Sequence, residues 1–459
     1  MKKREMFDAI TNIDDELIEE AKLDRKTGYR IKSILTLVAS LVVLVSIGHL
    51  IRGSNDNELI KPITEVIYPK AYAFDDYDSR RKIMDENPLD DNLVEIVNDF
   101  AYKTGSLILS EAKENVNYSP LSLYYSLGIA TTGARAETEK EMLDLLGIKD
   151  RQFLSEQSGN LYRVLYKDNE IGKLRIANSI WLGNEINGKP VEFKETFIEN
   201  ASKNFYASTH NVDFSDKKTG KDMGNWIAEN TNGLLKPEIE TNPEQILSII
   251  NTVYFYDQWI NRFNTNNTVE NVFYLSNGEE VKSDFMNQTL GSASFSKGDN
   301  FIRSSLGLKN GGQMVFILPD DGILPNELVS SPEQIKEIFE SGKDFFGKVV
   351  WKIPKFSFDS KFELKEKLKD LGVKLAFEPD ADFTGITEHM AYISDIQQET
   401  RISINEEGVE AAAFTQIDYM GSAMPEDHAE MILNRPFIYG ITSSNGSLLF
   451  IGICTNPEV

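Results

Sequence analysis

The stretch Asn405-Glu-Glu-Gly-Val-Glu-Ala-Ala-Ala-Phe-Thr-Gln-Ile-Asp-Tyr419 decides how the rest of the chain is read. It follows a strand-like alternation at Ile402 and Ile404, and apolar strand signals resume only at Met431 to Leu433. Small residues pack poorly in an edge strand and hold a helix only weakly, so nothing local fixes its conformation. Strand side chains alternate between two faces. Counted from Val409, one face carries Val409, Ala411, Ala413, Thr415, Ile417 and Tyr419, with no charge and no proline. The other carries Glu410, Ala412, Phe414, Gln416 and Asp418, and therefore both charges. A charge turned into a sheet's core face costs several kcal/mol, so this division suits a strand that buries its uncharged face. Gly408 supplies backbone freedom where such a strand would turn.

Composition sets outer bounds. The chain has 459 residues, of which 41% are apolar and 10% aromatic, ample for a large core. A formal net charge of -24 argues against a nucleic-acid partner, which needs clustered Lys and Arg. The single cysteine, Cys454, excludes an intramolecular disulfide and any cysteine-built zinc site, and with four histidines no metal site or other cofactor is expected.

Residues 1–32 read as a charged cytoplasmic tail. The eighteen residues from Ile34 to Ile51 carry no charge, and Lys22, Arg25, Lys26, Arg30 and Lys32 crowd their N-terminal flank. Length and flanking charge together predict a transmembrane signal anchor over 33–52, with the N-terminus cytoplasmic and the remainder extracellular. Ala71-Tyr72-Ala73 resembles a cleavage site but lies far downstream, which leaves a secreted form as the alternative. The long charged arm points to a prokaryotic envelope. Residues 53–90 are polar with little periodicity and read as an extracellular linker. The 369 residues from 91 to 459 form one domain.

That domain begins with helical periodicity (Leu93, Val97, Phe100, Ala101), and Ser119-Pro120 starts a second helix with Ser119 as cap. Strand patterns follow at 174–182, 246–256, 313–318 and 348–353, then a helix expected over Phe362 to Leu371 that stops at Gly372. A closing hairpin joins 437–441 to 448–453 through Ser444-Asn445-Gly446. Helices around mostly antiparallel strands give an α+β class.

Several blocks read together resemble the serpins, the serine protease inhibitor family. They are Asn117-Tyr-Ser-Pro-Leu-Ser122, with Gly133-Ala134 and Thr138-x-x-Glu141-Met142; Asn251-Thr-Val-Tyr-Phe255 with Trp259 and Phe263; and Lys352-Ile-Pro-Lys-Phe356 with Ala381-Asp-Phe383-x-Gly385-Ile386. Asn405 to Ala413 is similar to the hinge of the family's reactive loop, and Pro436-Phe437 with Phe450-x-Gly452 to its C-terminal signature. The resemblance covers 91–459 and implies a fold of helices around three mostly antiparallel sheets with an exposed loop. It also implies a monomeric suicide inhibitor, not an enzyme: a serine protease cleaves the loop, the loop inserts into the central sheet, and the acyl-enzyme is trapped as a covalent complex.

On this resemblance Glu406, Glu407, Gly408, Val409, Glu410, Ala411, Ala412 and Ala413 form the hinge, and Ser119, Ser122, Asn251, Trp259 and Gln398 surround the point where the sheet opens. Serpin spacing puts the scissile bond fourteen residues past Gly408, at Ser422-Ala423, with Met420, Gly421 and Met424 as competing registers. A small residue there suits elastase-like or subtilisin-like proteases, and the absence of Lys or Arg between Arg401 and Arg435 disfavours trypsin-like ones. Three positions depart from the family: Val409 where Thr is preferred, Phe414 where a small residue is usual, and Gln398 where many members have His. The alternatives are a serpin-fold binding protein that does not inhibit, and a Ser-His-Asp hydrolase. The hydrolase has no Gly-x-Ser-x-Gly elbow to support it.

Overall fold

The computed structural model describes residues 62–186, 188–394, 396–409 and 427–459. The unit Ile60–Val459 is compact. Its helices are α1 (Tyr77–Glu86), α2 (Leu93–Leu109), α3 (Pro120–Gly133), α4 (Ala136–Leu146), α5 (Arg151–Leu165), α6 (Glu195–Phe205), α7 (Lys217–Asn230), α8 (Pro332–Glu340) and α9 (Lys365–Asp370). In chain order the strands are β1 (Val116–Tyr118), β2 (Lys167–Asp168), β3 (Lys173–Gly183), β4 (Glu185–Ile186), β5 (Lys189–Pro190), β6 (Ala207–Val212), β7 (Leu247–Gln258), β8 (Val269–Tyr274) and β9 (Glu280–Gly298). They continue with β10 (Phe301–Gly307), β11 (Gln313–Pro319), β12 (Lys343–Pro354), β13 (Phe356–Glu363), β14 (Gln397–Ile404), β15 (Gly408–Val409), β16 (His428–Ile432), β17 (Phe437–Thr442) and β18 (Leu448–Cys454).

Three sheets result. One runs β1-β18-β17-β11-β10-β9-β12-β16, with β8 added beside β9; the second runs β13-β14-β15-β7-β3-β2, with β6 also beside β3; β4 and β5 form a two-stranded ribbon. Among these pairings only β3 with β6 and β12 with β16 are parallel. The core lies between the two large sheets and the helices, and its largest fully buried side chains include Trp259, Trp351, Tyr118 and Tyr124. The α+β expectation holds, as do the capped start of α3 and the β17–β18 hairpin. One boundary moves: Phe362 belongs to β13, because the alternation Phe356, Phe358, Ser360 runs on as a strand, and the helix starts only at Lys365.

The second sheet matters most for function. Gly408 and Val409 pair with Gln258 and Asp257 of β7, and Val409 also pairs with Ile404 of β14. Among the described residues β7 and β14 are joined through β15 alone.

The stretch expected as a linker is docked over 62–90. Ile63 N–H donates to Thr209 O (2.6 Å) and Thr209 N–H to Thr64 O (3.2 Å), which covers part of the β6 edge that would otherwise be open to another chain. Tyr68 stacks on Tyr166 at 6.0 Å under the Arg175 guanidinium, and the Lys167 amine donates to Tyr72 OH (2.5 Å). Two tyrosines in a polar stretch supply the anchoring area that its average composition conceals.

The membrane placement expected from the sequence is corrected. Among the described residues no helix is long and apolar enough to cross a membrane, and the segment 33–52, like the tail 1–32, lies outside the described residues.

Burial pushes the Lys167 amine down to about 8 from its ordinary 10.5, helped by the nearby charge of Arg80. Native Lys167 thus binds its proton less readily than in the unfolded chain. Its penalty is fully present below pH 8 and fades as pH rises towards 10.5, by about 3 kcal/mol. Denaturant unfolding of Lys167→Met beside wild type is expected to show the variant's relative stability falling by about that amount between pH 8 and 10.5; a constant difference contradicts the assignment.

Candidate functional site

The polar residues expected around the sheet's opening point fall into three groups. The first is built on the start of α3. Ser119 has extended backbone (φ -106°, ψ 97°) and accepts from Ser122 N–H (3.4 Å), while Pro120 takes the first helical position where no N–H is needed. Ser119 Oγ donates to Leu449 O (2.9 Å), tying the cap to β18. From β14, Gln398 Oε1 accepts from Ser119 N–H (3.0 Å) and Gln398 Nε2 donates to Ser119 O (2.9 Å). The amide thus does from one position what only a donor and acceptor together could do, and it carries no titratable proton. Ser119 and Gln398 are both buried.

Asn251 does not join this group. It sits opposite Asn178 in the β7–β3 ladder, donates to Asn178 Oδ1 (2.5 Å), and Asn178 in turn donates to Phe205 O (2.6 Å). The Asn251 pair is a link between strands and α6.

The third group surrounds the hinge. Trp259, fully buried, donates its indole N–H to Asn405 O (2.9 Å) and its backbone N–H to Glu407 O (3.0 Å), and Phe263 N–H donates to Glu406 O (3.0 Å). Thr268 donates its hydroxyl to Glu406 Oε1 (2.7 Å), and Lys355 lies 3.6 Å from the same oxygen. Burial pushes the Glu406 carboxyl up, but the Thr268 hydrogen bond and the Lys355 charge together hold it below the usual carboxylate range. Gly408 approaches β7 so closely that a Cβ there would lie 2.2 Å from Asp257 O, so only glycine fits. Val409 is buried and turns towards the core beside Ile404.

A cavity lies between β7 and β14 beyond this point, lined by Ser119, Val253, Phe255, Ile402, Ser403 and Val409 among others. Its lining joins the Ser119 group to the hinge. Thr231, Leu234 and Leu235, which follow α7, line it as well.

Glu410, Ala411, Ala412 and Ala413 of the hinge, with Ser422 and Ala423 and their competitors Met420, Gly421 and Met424, lie outside the described residues. Sequence reasoning missed Lys355, Thr268 and Asp257. A charge at Asp257, in step with Val253 and Phe255 on the core-facing side of β7, was the available signal for the last. Of the histidines, His210 stacks on Trp181 at 4.2 Å in β6 and His428 lies in β16, so these two sit on separate strands. Among the described residues no group of three or more His, Cys, Asp or Glu could hold a metal.

The family model described as serpin (serine protease inhibitor) matches residues 95–457. Serpin-Z4 of Hordeum vulgare is 30% identical over 395 residues, covering 78% of this chain and 95% of that protein. Serpin B4 of Homo sapiens is 26% identical over 368 residues, covering 75% and 94%. The crystal structure of the thermophilic serpin Tengpin in its native state superposes with a TM-score of 0.73 at 26% identity, covering 86% of this chain and 99% of that one. These similarities lend no support to a bacterial origin. With the match spanning nearly the whole of the described fold, the chain belongs to the serpin family.

Proposed function

We propose that this serpin inhibits serine endopeptidases by loop cleavage, loop insertion and covalent trapping of the acyl-enzyme. The observation that carries the reading is the pairing of Val409 with both Ile404 and Asp257. An antiparallel strand continued from there moves one residue back along each neighbour for every residue added. Ala411 then falls between Ile402 and Phe255, Ala413 between Thr400 and Val253, and Thr415 between Gln398 and Asn251. Directly paired residues share a face. The β14 partners Ile402, Thr400 and Gln398 are buried while Arg401 is exposed, so on insertion the uncharged set from Val409 to Tyr419 would face the core. Glu410 and Asp418 would then face outward. A slip by one residue would bury both charges instead.

This register supports inhibition over a purely binding role, because a loop that is never inserted has no reason to separate charged from uncharged positions in step with β14. Formation of two ladders by a segment of this length, with burial of Val409, Ala411, Ala413, Thr415, Ile417 and Tyr419, supplies the energy that distorts the attached protease. Cleavage at Ser422-Ala423 frees that segment at its C-terminal end. The small side chain at Ser422 favours elastase-like or subtilisin-like targets, with Met420, Gly421 and Met424 as the competing bonds.

Incubation of the full chain with pancreatic elastase or subtilisin is expected to give a covalent complex that survives a denaturing gel, with mass spectrometry of the released C-terminal peptide locating the bond; cleavage without a complex contradicts the reading. In the inserted strand Ala413→Arg would place a charge on the core-facing side between Thr400 and Val253. The variant is expected to be cleaved at the wild-type rate and to form less than a tenth of the complex, read on the same gel; full trapping by it refutes the register.

A further inference from the structure

Asp257 is buried at the end of β7, on the same face as Val253 and Phe255. Its carboxylate accepts three hydrogen bonds. Gln258 N–H and Asn310 Nδ2 both donate to Oδ1, at 2.8 and 3.1 Å, and Asn310 N–H donates to Oδ2 at 3.1 Å. Asn310 is itself buried in the turn between β10 and β11, and its Oδ1 accepts from Asn169 Nδ2 (2.9 Å). Asn169 Oδ1 accepts from Ile171 N–H and Gly172 N–H (3.0 and 2.9 Å) in the turn between β2 and β3. Gly172 is packed so closely that a Cβ would lie 2.6 Å from Asn310 Nδ2 and from Tyr256 O. One carboxylate therefore fastens the end of β7 to the turns 169–172 and 308–312. The backbone of that same residue pairs with Val409.

We infer that Asp257 is a positioning residue for loop insertion: it holds the end of β7 in the place where Gly408 and Val409 pair, so that the inserting strand starts in a fixed register. The inference rests on the inhibitory reading above and deepens it. A carboxylate is the one side chain of this size that offers only acceptors, and both of its oxygens meet donors supplied by Asn310. Burial pushes its carboxyl up to about 6, which shows how much the surroundings disfavour the charge that these donors are there to meet. An inserting strand that must search for its register leaves the acyl-enzyme time to hydrolyse, and the cleaved inhibitor is then lost without trapping a protease.

Asp257→Asn keeps the shape and turns an N–H towards Asn310. The double variant Asp257→Asn with Asn310→Asp restores the contact between the two side chains: the carboxylate introduced at position 310 accepts from the amide introduced at position 257 and from Asn169, and the amide oxygen at position 257 accepts the backbone N–H of position 310, while Gln258 N–H loses its acceptor. The experiment measures, on the full chain, how many moles of inhibitor are consumed per mole of elastase or subtilisin trapped, together with the rate of loop cleavage and the melting temperature. The single variant is expected to consume at least threefold more inhibitor at an unchanged cleavage rate, and the double variant to recover more than half of that loss. Asn169→Ala loosens only the far side of the network and is expected to fall between, which keeps the test open if the single variant does not fold. A lowered melting temperature with a wild-type ratio in all variants overturns the proposal. Should wild type be cleaved without trapping, the inhibitory reading fails, and the rate at which cleaved protein gains thermal stability becomes the readout: slower gain in Asp257→Asn, more than half recovered in the double variant, supports the positioning role, and equal rates overturn it.

Discussion

Among the described residues, strands β7 and β14 are neighbours in the second sheet only by way of Gly408 and Val409. Sheet strands lie about 4.8 Å apart, so two strands bridged at one end by a third are already set at the spacing that a whole strand needs. Everything else in the site serves that spacing. Ser119 and Gln398 tie the α3 terminus to β14, Trp259 and Phe263 hold the backbone of Asn405 to Glu407, and Lys355 and Thr268 hold the Glu406 carboxylate. The arrangement fixes the hinge while leaving the strand beyond it to the residues that follow.

The two classes of contact differ in energetic character. The Ser119 and Gln398 hydrogen bonds are buried and neutral, each contributing about 1 kcal/mol net but costing more when one partner is lost. The Glu406 and Lys355 pair is partly exposed and contributes less, and its value lies in placing the hinge backbone. Asp257 stands apart as a buried charge satisfied by amide donors alone, and a group of that kind is costly unless every oxygen is met.

What was legible in the sequence was mostly local. The Ser119-Pro120 start of α3 and the glycine-bearing turn of the final hairpin depend on residues a few positions apart. The alternation expected after Val409 has the same two-residue period as the burial along β14. The hydrogen bond of Asn251 to Asn178 was not legible, because it depends on the register of two strands some seventy residues apart, which no local pattern encodes. The docking of 62–90 was hidden for a similar reason, since Tyr68 and Tyr72 find their partners Tyr166 and Lys167 only in the folded chain. Phe362 reads as helical by adjacency to Leu364 and Leu368, which are four residues apart, while its alternation with Phe358 and Ser360 makes it part of β13.

The central claim is that the chain from Val409 onward becomes the strand between β7 and β14. Amide hydrogen exchange of the full chain before and after loop cleavage tests it most directly. The account predicts that β7 from Leu247 to Tyr256 and β14 from Gln397 to Ser403 gain protection together with residues 410–419, while α8, no residue of which lines the cavity between those strands, stays as it was. Unchanged protection along β7 and β14, or protection confined to the cleaved loop, would contradict it.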